Sequence, residues 1–172
     1  PGSQADPPKA GSLLCPLGGL GGYMGDPTWE LLPRQGIESG TIKVSFGMER
    51  QDLRSAMSDH FLPPSQSTYL DEDDFLTTDG STFIRVRYEG VLVRDIEFLG
   101  GSLRYQGIDL HSGTTFTEIG ARFGDIGLTF RPTEWLGDGQ DCPELGINIA
   151  THEDVGGDGN GIEWVILSSN FE

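Results

Sequence analysis

Gly40-Thr-Ile-Lys-Val-Ser-Phe-Gly-Met48 opens the pattern that decides the fold of this chain. Ile42, Val44 and Phe46 alternate with Lys43, Ser45 and Gly47, the period of two that puts successive side chains on opposite faces of a half-buried strand. Immediately after it, Leu53, Met57 and Phe61 recur at every fourth position with Ala56 beside them. This spacing predicts a helix over Glu49 to His60 with one apolar stripe. Glu49 and Asp52 suit the positive end of its dipole, and Pro63-Pro64 ends it.

Downstream, Ser65 to Gly80 carries Asp71-Glu-Asp-Asp74 and reads as an exposed acidic loop leading into a strand. Ile84, Val86 and Tyr88 then alternate with Arg85 and Arg87, Glu89-Gly90 supplies a tight turn, and Val91 to Phe98 returns as the hairpin partner. After Gly100-Gly101 the order of elements starts again at Leu103-Arg-Tyr-Gln-Gly107. Thr115-Phe-Thr-Glu118 has the spacing of a capping box, in which hydroxyl and carboxylate satisfy unpaired amide groups at a helix start. Phe116, Ile119 and Phe123 supply the apolar face, and Gly124 is placed to end the helix. Three further strands are expected at Gly127 to Arg131, Gly146 to Ala150 and Gly161 to Leu167, separated by acidic, Gly-rich loops at 132–145 and 151–160. The expected fold is α+β: an antiparallel sheet with two short helices packed on one face, built from two tandem helix-plus-strands repeats at about 40–99 and 103–168.

The 172 residues suit a single domain, which at this size buries roughly 70% of its unfolded surface. Residues 1–23 are Gly, Pro and small residues without periodicity and read as a tag, linker or extension, with Met24 as a candidate native start and 24–172 as the domain. On that reading Cys15 is foreign and Cys142 stands alone, which favours a reducing, cytoplasmic setting; a Cys15–Cys142 bridge in an exported protein is the alternative. No apolar run approaches the ~18 residues that would span a bilayer, so no membrane association is expected.

Acidic residues outnumber basic ones 27 to 11, giving a net charge of -16, and no Lys or Arg follows Arg131. Such a field favours basic partners and argues against nucleic acid, whose phosphates require protein cations. No catalytic constellation is legible, and the chain is expected not to be an enzyme and to need no cofactor. His60, His111 and His152 lack metal-ligand spacing, and Ser112-Gly113 lacks a nucleophile-elbow context. Asp154 to Glu163 has the look of a weak calcium loop, but aligning Asp158 and Asn160 to the third and fifth ligand positions leaves Gly156 and Leu167 at the first and twelfth. A hairpin turn is the better reading, and no metal site is expected. The candidate partner-binding residues are aromatic side chains set among carboxylates: Tyr69, Asp71, Glu72, Asp73, Asp74 and Phe75 in the first acidic segment, with Glu134, Trp135, Asp138 and Asp141 in the second. Trp164, inside a strand, reads as core.

The run Gly40 to Met57, with Phe46-Gly47-Met48 before a polar helix containing Asp52-Leu53-Arg54, resembles the "GMT/GMS-x-x-x-V/L" opening of bacterial immunity proteins of polymorphic toxin systems. It is also similar to the repeat unit of the beta-lactamase inhibitor protein family. Gly107-Ile-Asp-Leu110 and Leu145-Gly-Ile-Asn-Ile149 look like the "GIDLF" and "LGIxLW" segments of the immunity group. Glu49 departs from the usual Ser or Thr cap, and Ile149-Ala150 from the usual Leu and aromatic. The resemblance spans residues 36 to 168 and implies a helix-on-sheet scaffold that binds and blocks an enzyme. Its expected partner is a protein toxin with a basic surface, a nuclease among the candidates. An exported inhibitor of the beta-lactamase-inhibitor type is the alternative. The resemblance carries no partner-contacting residue over to this chain.

Overall fold

The computed structural model describes residues 27–64 and 71–171. Their strands divide between two sheets rather than lying in one. The first has β1 (Thr28–Leu32), β2 (Gly36–Ser39), β3 (Ile42–Ser45), β7 (Ser102–Tyr105) and β8 (Ile108–Asp109), in the order β3-β2-β1-β7-β8. The second has β4 (Glu72–Leu76), β5 (Phe83–Glu89), β6 (Leu92–Gly100), β9 (Arg131–Pro132), β10 (Gln140–Cys142), β11 (Ile147–Thr151) and β12 (Ile162–Ser168), in the order β4-β5-β6-β12-β11-β10-β9. Neighbours are antiparallel except at β1 and β7, which run parallel with Trp29 beside Leu103. The architecture is α+β, with two helices among the described residues, α1 (Arg50–Met57) and α2 (Phe116–Asp125).

The helices sit where the sheets end. α1 packs beside β3 and α2 beside β8, the two edge strands of the first sheet, and each helix leads the chain to an edge strand of the second, β4 or β9. The inward faces of both sheets and both helices share one core, with Trp29, Ile37 and Leu103 from the first sheet, Ile84, Phe98, Ile149 and Val165 from the second, and Leu53, Met57, Ile119 and Phe123 from the helices. Gly101, at φ 108 and with Thr82 packed against it, lets the chain pass from β6 of one sheet to β7 of the other within a single residue.

Several sequence expectations meet their physical outcome here. The β5–β6 hairpin forms around Gly90, at φ 62. The capping box at Thr115 and Glu118 is complete. Helix α2 runs one residue past Gly124, to Asp125, and ends in a Schellman arrangement, with Gly127 at φ 78, its N–H on the Gly124 carbonyl and the Leu128 N–H on the Phe123 carbonyl. Gly127 to Phe130 is not a strand; only Arg131–Pro132 pairs, because Phe130 turns inward to stack on Phe123 at 5.2 Å between ring centroids. The acidic segment after residue 70 is not a loop: Glu72–Leu76 is strand β4, paired with β5 along its whole length. Strands β1 and β2, upstream of the quoted stretch, carry Trp29 and Ile37 into the core.

Candidate functional site

Carboxylates of the first acidic segment are consumed by the fold. Strand β4 points Asp73 and Phe75 inward, while Asp74 is half-buried on the other face and Glu72, also on that face, is itself buried under Arg85 and Arg87 and not open to a partner. Asp73 is fully buried and receives Arg50 and Arg54 from one face of α1, each with a nitrogen 2.6 Å from Oδ1, as well as the Tyr88 hydroxyl at 2.9 Å. Arg50 also lies over the Tyr88 ring, 4.6 Å from its centroid. Burial alone would raise the Asp73 pKa, but the hydrogen bonds from Arg54, Arg50 and Tyr88 outweigh it and hold the carboxyl at about 2. Phe75 is likewise in the core, edge-on to Phe61. Neither Asp73 nor Phe75 is open to a partner. Asp71 is exposed, and Tyr69 lies outside the described residues.

The outward side chains of β4, β5 and β6 form cross-strand charge rows. Asp74 faces Arg85, which faces Glu97; Glu72 faces Arg87, which faces Asp95. Arg85 reaches Asp74 at 2.7 Å, Arg87 reaches Glu97 at 2.7 Å, and Arg94 pairs with Asp95 at 2.7 Å. Burial raises the Glu97 pKa against the pull of Arg87 and Arg85. The first sheet presents a similar row, Lys43, Glu38, Glu30, Arg104 and Asp109 on successive strands. The arginine–carboxylate bridges of α1 and of these rows run from Arg50 to Asp109 along the chain.

The second acidic segment is built differently. Asp141, fully buried on β10, accepts hydrogen bonds from neutral donors: Asn148 Nδ2 at 2.9 Å, Trp135 Nε1 at 3.3 Å and the Glu134 N–H at 3.4 Å. Asn148 in turn accepts from Trp164 Nε1 at 3.0 Å and donates to the Asp138 carbonyl at 3.3 Å. Residues 133–139 thereby fold over the outward side of β10 and β11. Gly139, at φ 89, brings that turn so close that a Cβ would meet the Ile149 carbonyl at 2.6 Å. Trp135 remains 40% exposed, with one edge against Phe171 at 5.5 Å between centroids. Glu134 and Asp138 are exposed beside it.

The structure therefore brings Glu134, Trp135, Asp138 and Asp141 together and separates them from the Asp71 to Phe75 group. Trp164 is not in the core cluster: it lies half-buried on the outward face, in the same hydrogen-bonded chain. Asn148 and Phe171 were not singled out in the sequence. The one signal for Asn148 was a polar residue at the outward phase of an otherwise apolar strand, Ile147 to Ala150.

Potential chemical groups elsewhere are engaged locally. Asp154 turns back to accept from the Thr151 N–H at 2.7 Å and hydroxyl at 2.9 Å, and Glu163 pairs with His152 at 2.6 Å. Gly156 and Gly159, at φ 85 and 90, make the segment between them a turn. Cys142 is a free, buried thiol raised to about 11 by burial. No group of three or more His, Cys, Asp or Glu among the described residues is placed to hold a metal ion, and no helix there is long and apolar enough to cross a membrane. No family model, curated protein or solved structure matches this chain.

Proposed function

We propose that this chain is an immunity-type inhibitor, acting in the cytoplasm, that binds a basic bacterial toxin domain and covers its active site. The observation that carries the reading is the uneven use of cations. Arginines from Arg50 to Arg104 bridge to carboxylates from Glu72 to Asp109, whereas the eight carboxylates from Glu134 to Glu163 have no Lys or Arg after them in the chain. Three of these, Glu134, Asp138 and Asp141, lie beside an exposed indole, Trp135, a combination of steering field and aromatic anchor suited to a basic protein partner. A nuclease toxin, which needs a basic surface for phosphate, is the first class to test. The shared order of hairpin, helix and antiparallel strands in the two halves supports a duplicated scaffold of the inhibitor kind.

The decisive experiment co-expresses the full chain with the toxin encoded by the adjacent gene. Rescue of growth, together with a purified complex whose association slows as salt is raised, is the expected result. A toxin that kills equally well with and without this chain refutes the proposal.

A further inference from the structure

We infer that Asn160 is a self-modification site: the fold sets a base, His152, beside the Asn160–Gly161 peptide, and the chain converts this asparagine to aspartate and isoaspartate without an enzyme. The inference goes beyond the inhibitor reading and does not depend on it. An asparagine amide carbon is open to attack by the main-chain nitrogen of the next residue, and a glycine there leaves that nitrogen unscreened by a side chain. Of the asparagines in this chain only Asn160 precedes glycine. Asn148 is fully buried and precedes Ile149, and Asn170 precedes Phe171. Asn160 itself is half-buried, at the end of the turn between β11 and β12.

That turn lays His152 over Gly161, so that a Cβ on the glycine would lie 3.0 Å from both Nε2 and Cδ2 of the imidazole. Glu163 takes the other ring nitrogen, Nδ1, at 2.6 Å. With Nδ1–H donated to that carboxylate, the neutral ring carries its lone pair on Nε2, on the glycine side. Nε2 is therefore placed to take the Gly161 N–H proton, directly or through one water. Both members of the pair are 43% exposed, so water reaches them. The backbone hydrogen bonds here use carbonyls: the His152 N–H donates to the Gly161 oxygen and the Phe116 N–H to the Asn160 oxygen, each at 3.0 Å. Neither draws on the Gly161 N–H. One contact restrains the reaction. Asn160 Nδ2 donates to Thr117 Oγ1 on α2 at 3.0 Å, and the amide must leave Thr117 before its Cγ can close a ring.

The step balances within the chain and water. The Gly161 nitrogen gives its proton to His152 and bonds to Asn160 Cγ; the Cγ–Nδ2 bond breaks, and ammonia leaves carrying that proton. Water then opens the succinimide at either carbonyl, giving aspartate or isoaspartate, with no oxidant or cofactor consumed. The product places a new carboxylate beside the start of α2, and the isoaspartate form lengthens the backbone at the bridge between Gly161 and Thr115.

The test incubates the full chain in mildly alkaline buffer and follows each asparagine by peptide mass mapping, with released ammonia as a second readout. Conversion is expected at Asn160 and not at Asn148 or Asn170. Thr117→Val, on an exposed side chain, should speed it about fivefold, as for loss of one hydrogen bond. Adding His152→Gln to Thr117→Val should slow it about tenfold or more, as for loss of a general base. The sign separates the two roles open to His152, since a residue that only braced the turn would loosen it on removal and speed conversion. Glu163→Gln, which leaves the imidazole in place without the carboxylate that orients it, should slow conversion by a smaller factor, and circular dichroism melts check that each variant is folded. An intact Asn160 in folded Thr117→Val, conversion spread evenly over the asparagines, or a rate in the Thr117→Val/His152→Gln variant equal to or above that of Thr117→Val would overturn the assignment.

Discussion

Arg54 of α1 grips the carboxylate of Asp73 on β4 through two hydrogen bonds, at 2.6 and 2.8 Å, and so ties a helix beside one sheet to the edge strand of the other. Arg50, one turn earlier, does the same at 2.6 and 3.0 Å. Two guanidiniums on one buried carboxylate leave that carboxylate no neutral substitute. Removing it strands two charges whose desolvation is no longer compensated.

Asp73→Ala is accordingly expected to lower unfolding free energy by about 3 kcal/mol or more, read as the shift in a urea transition. Glu97→Gln should cost much less, because burial already disfavours its charged form. Equal losses for the two variants would contradict the distinction drawn between them.

Acid should act through the same carboxylate. Asp73 is held at about 2 against an ordinary 3.8, so its contribution is fully present above pH 3.8 and is lost as pH falls towards 2. His111, edge-on to Phe98 and lowered by burial, adds an earlier step. Its neutral form is favoured in the folded state, so stability falls as pH drops below 6.5, where the unfolded imidazole takes up its proton first. Urea midpoints measured from pH 8 to 2 should decline in both windows, and Asp73→Asn should flatten the lower one.

Glycine substitutions should separate by site. Gly36, at φ 146, has no room for a side chain, since a Cβ would lie 1.9 Å from the Val44 carbonyl oxygen across β2 and β3. Gly36→Ala should cost more than about 2 kcal/mol or prevent folding. Gly120 in α2 meets nothing within 4 Å, and Gly120→Ala should stabilise by about 0.5–1 kcal/mol through helix propensity. Thermal melts of the two variants should move in opposite directions.

Cys142 should be unreactive while the protein is folded. Burial pushes its thiol up to about 11, so little thiolate exists at neutral pH and access is blocked. In a Cys15→Ser variant, a thiol reagent at pH 7.5 should label Cys142 slowly in buffer and rapidly in concentrated urea. Fast labelling in buffer would show that β10 opens readily.

The sequence itself determined the local elements. Leu53 and Met57 wrote the apolar stripe of α1, Thr115 and Glu118 the start of α2, and Ile84, Val86 and Tyr88 with Glu89-Gly90 the central hairpin, because each signal is completed within a few residues. Charge imbalance and the absence of cations after Arg131 were equally plain. Only tertiary structure could decide which acidic residues remain available. Asp71-Glu-Asp-Asp74 looks like solvated charge in one dimension, yet Asp73 is buried because arginines 19 and 23 residues away converge on it. Trp135 looks like any loop aromatic until Asp141, Asn148 and Trp164 are seen to fix it. Pairing partners, the split into two sheets and the parallel contact of β1 with β7 depend on long-range packing, and no local pattern encodes an interaction whose other half lies on a distant strand.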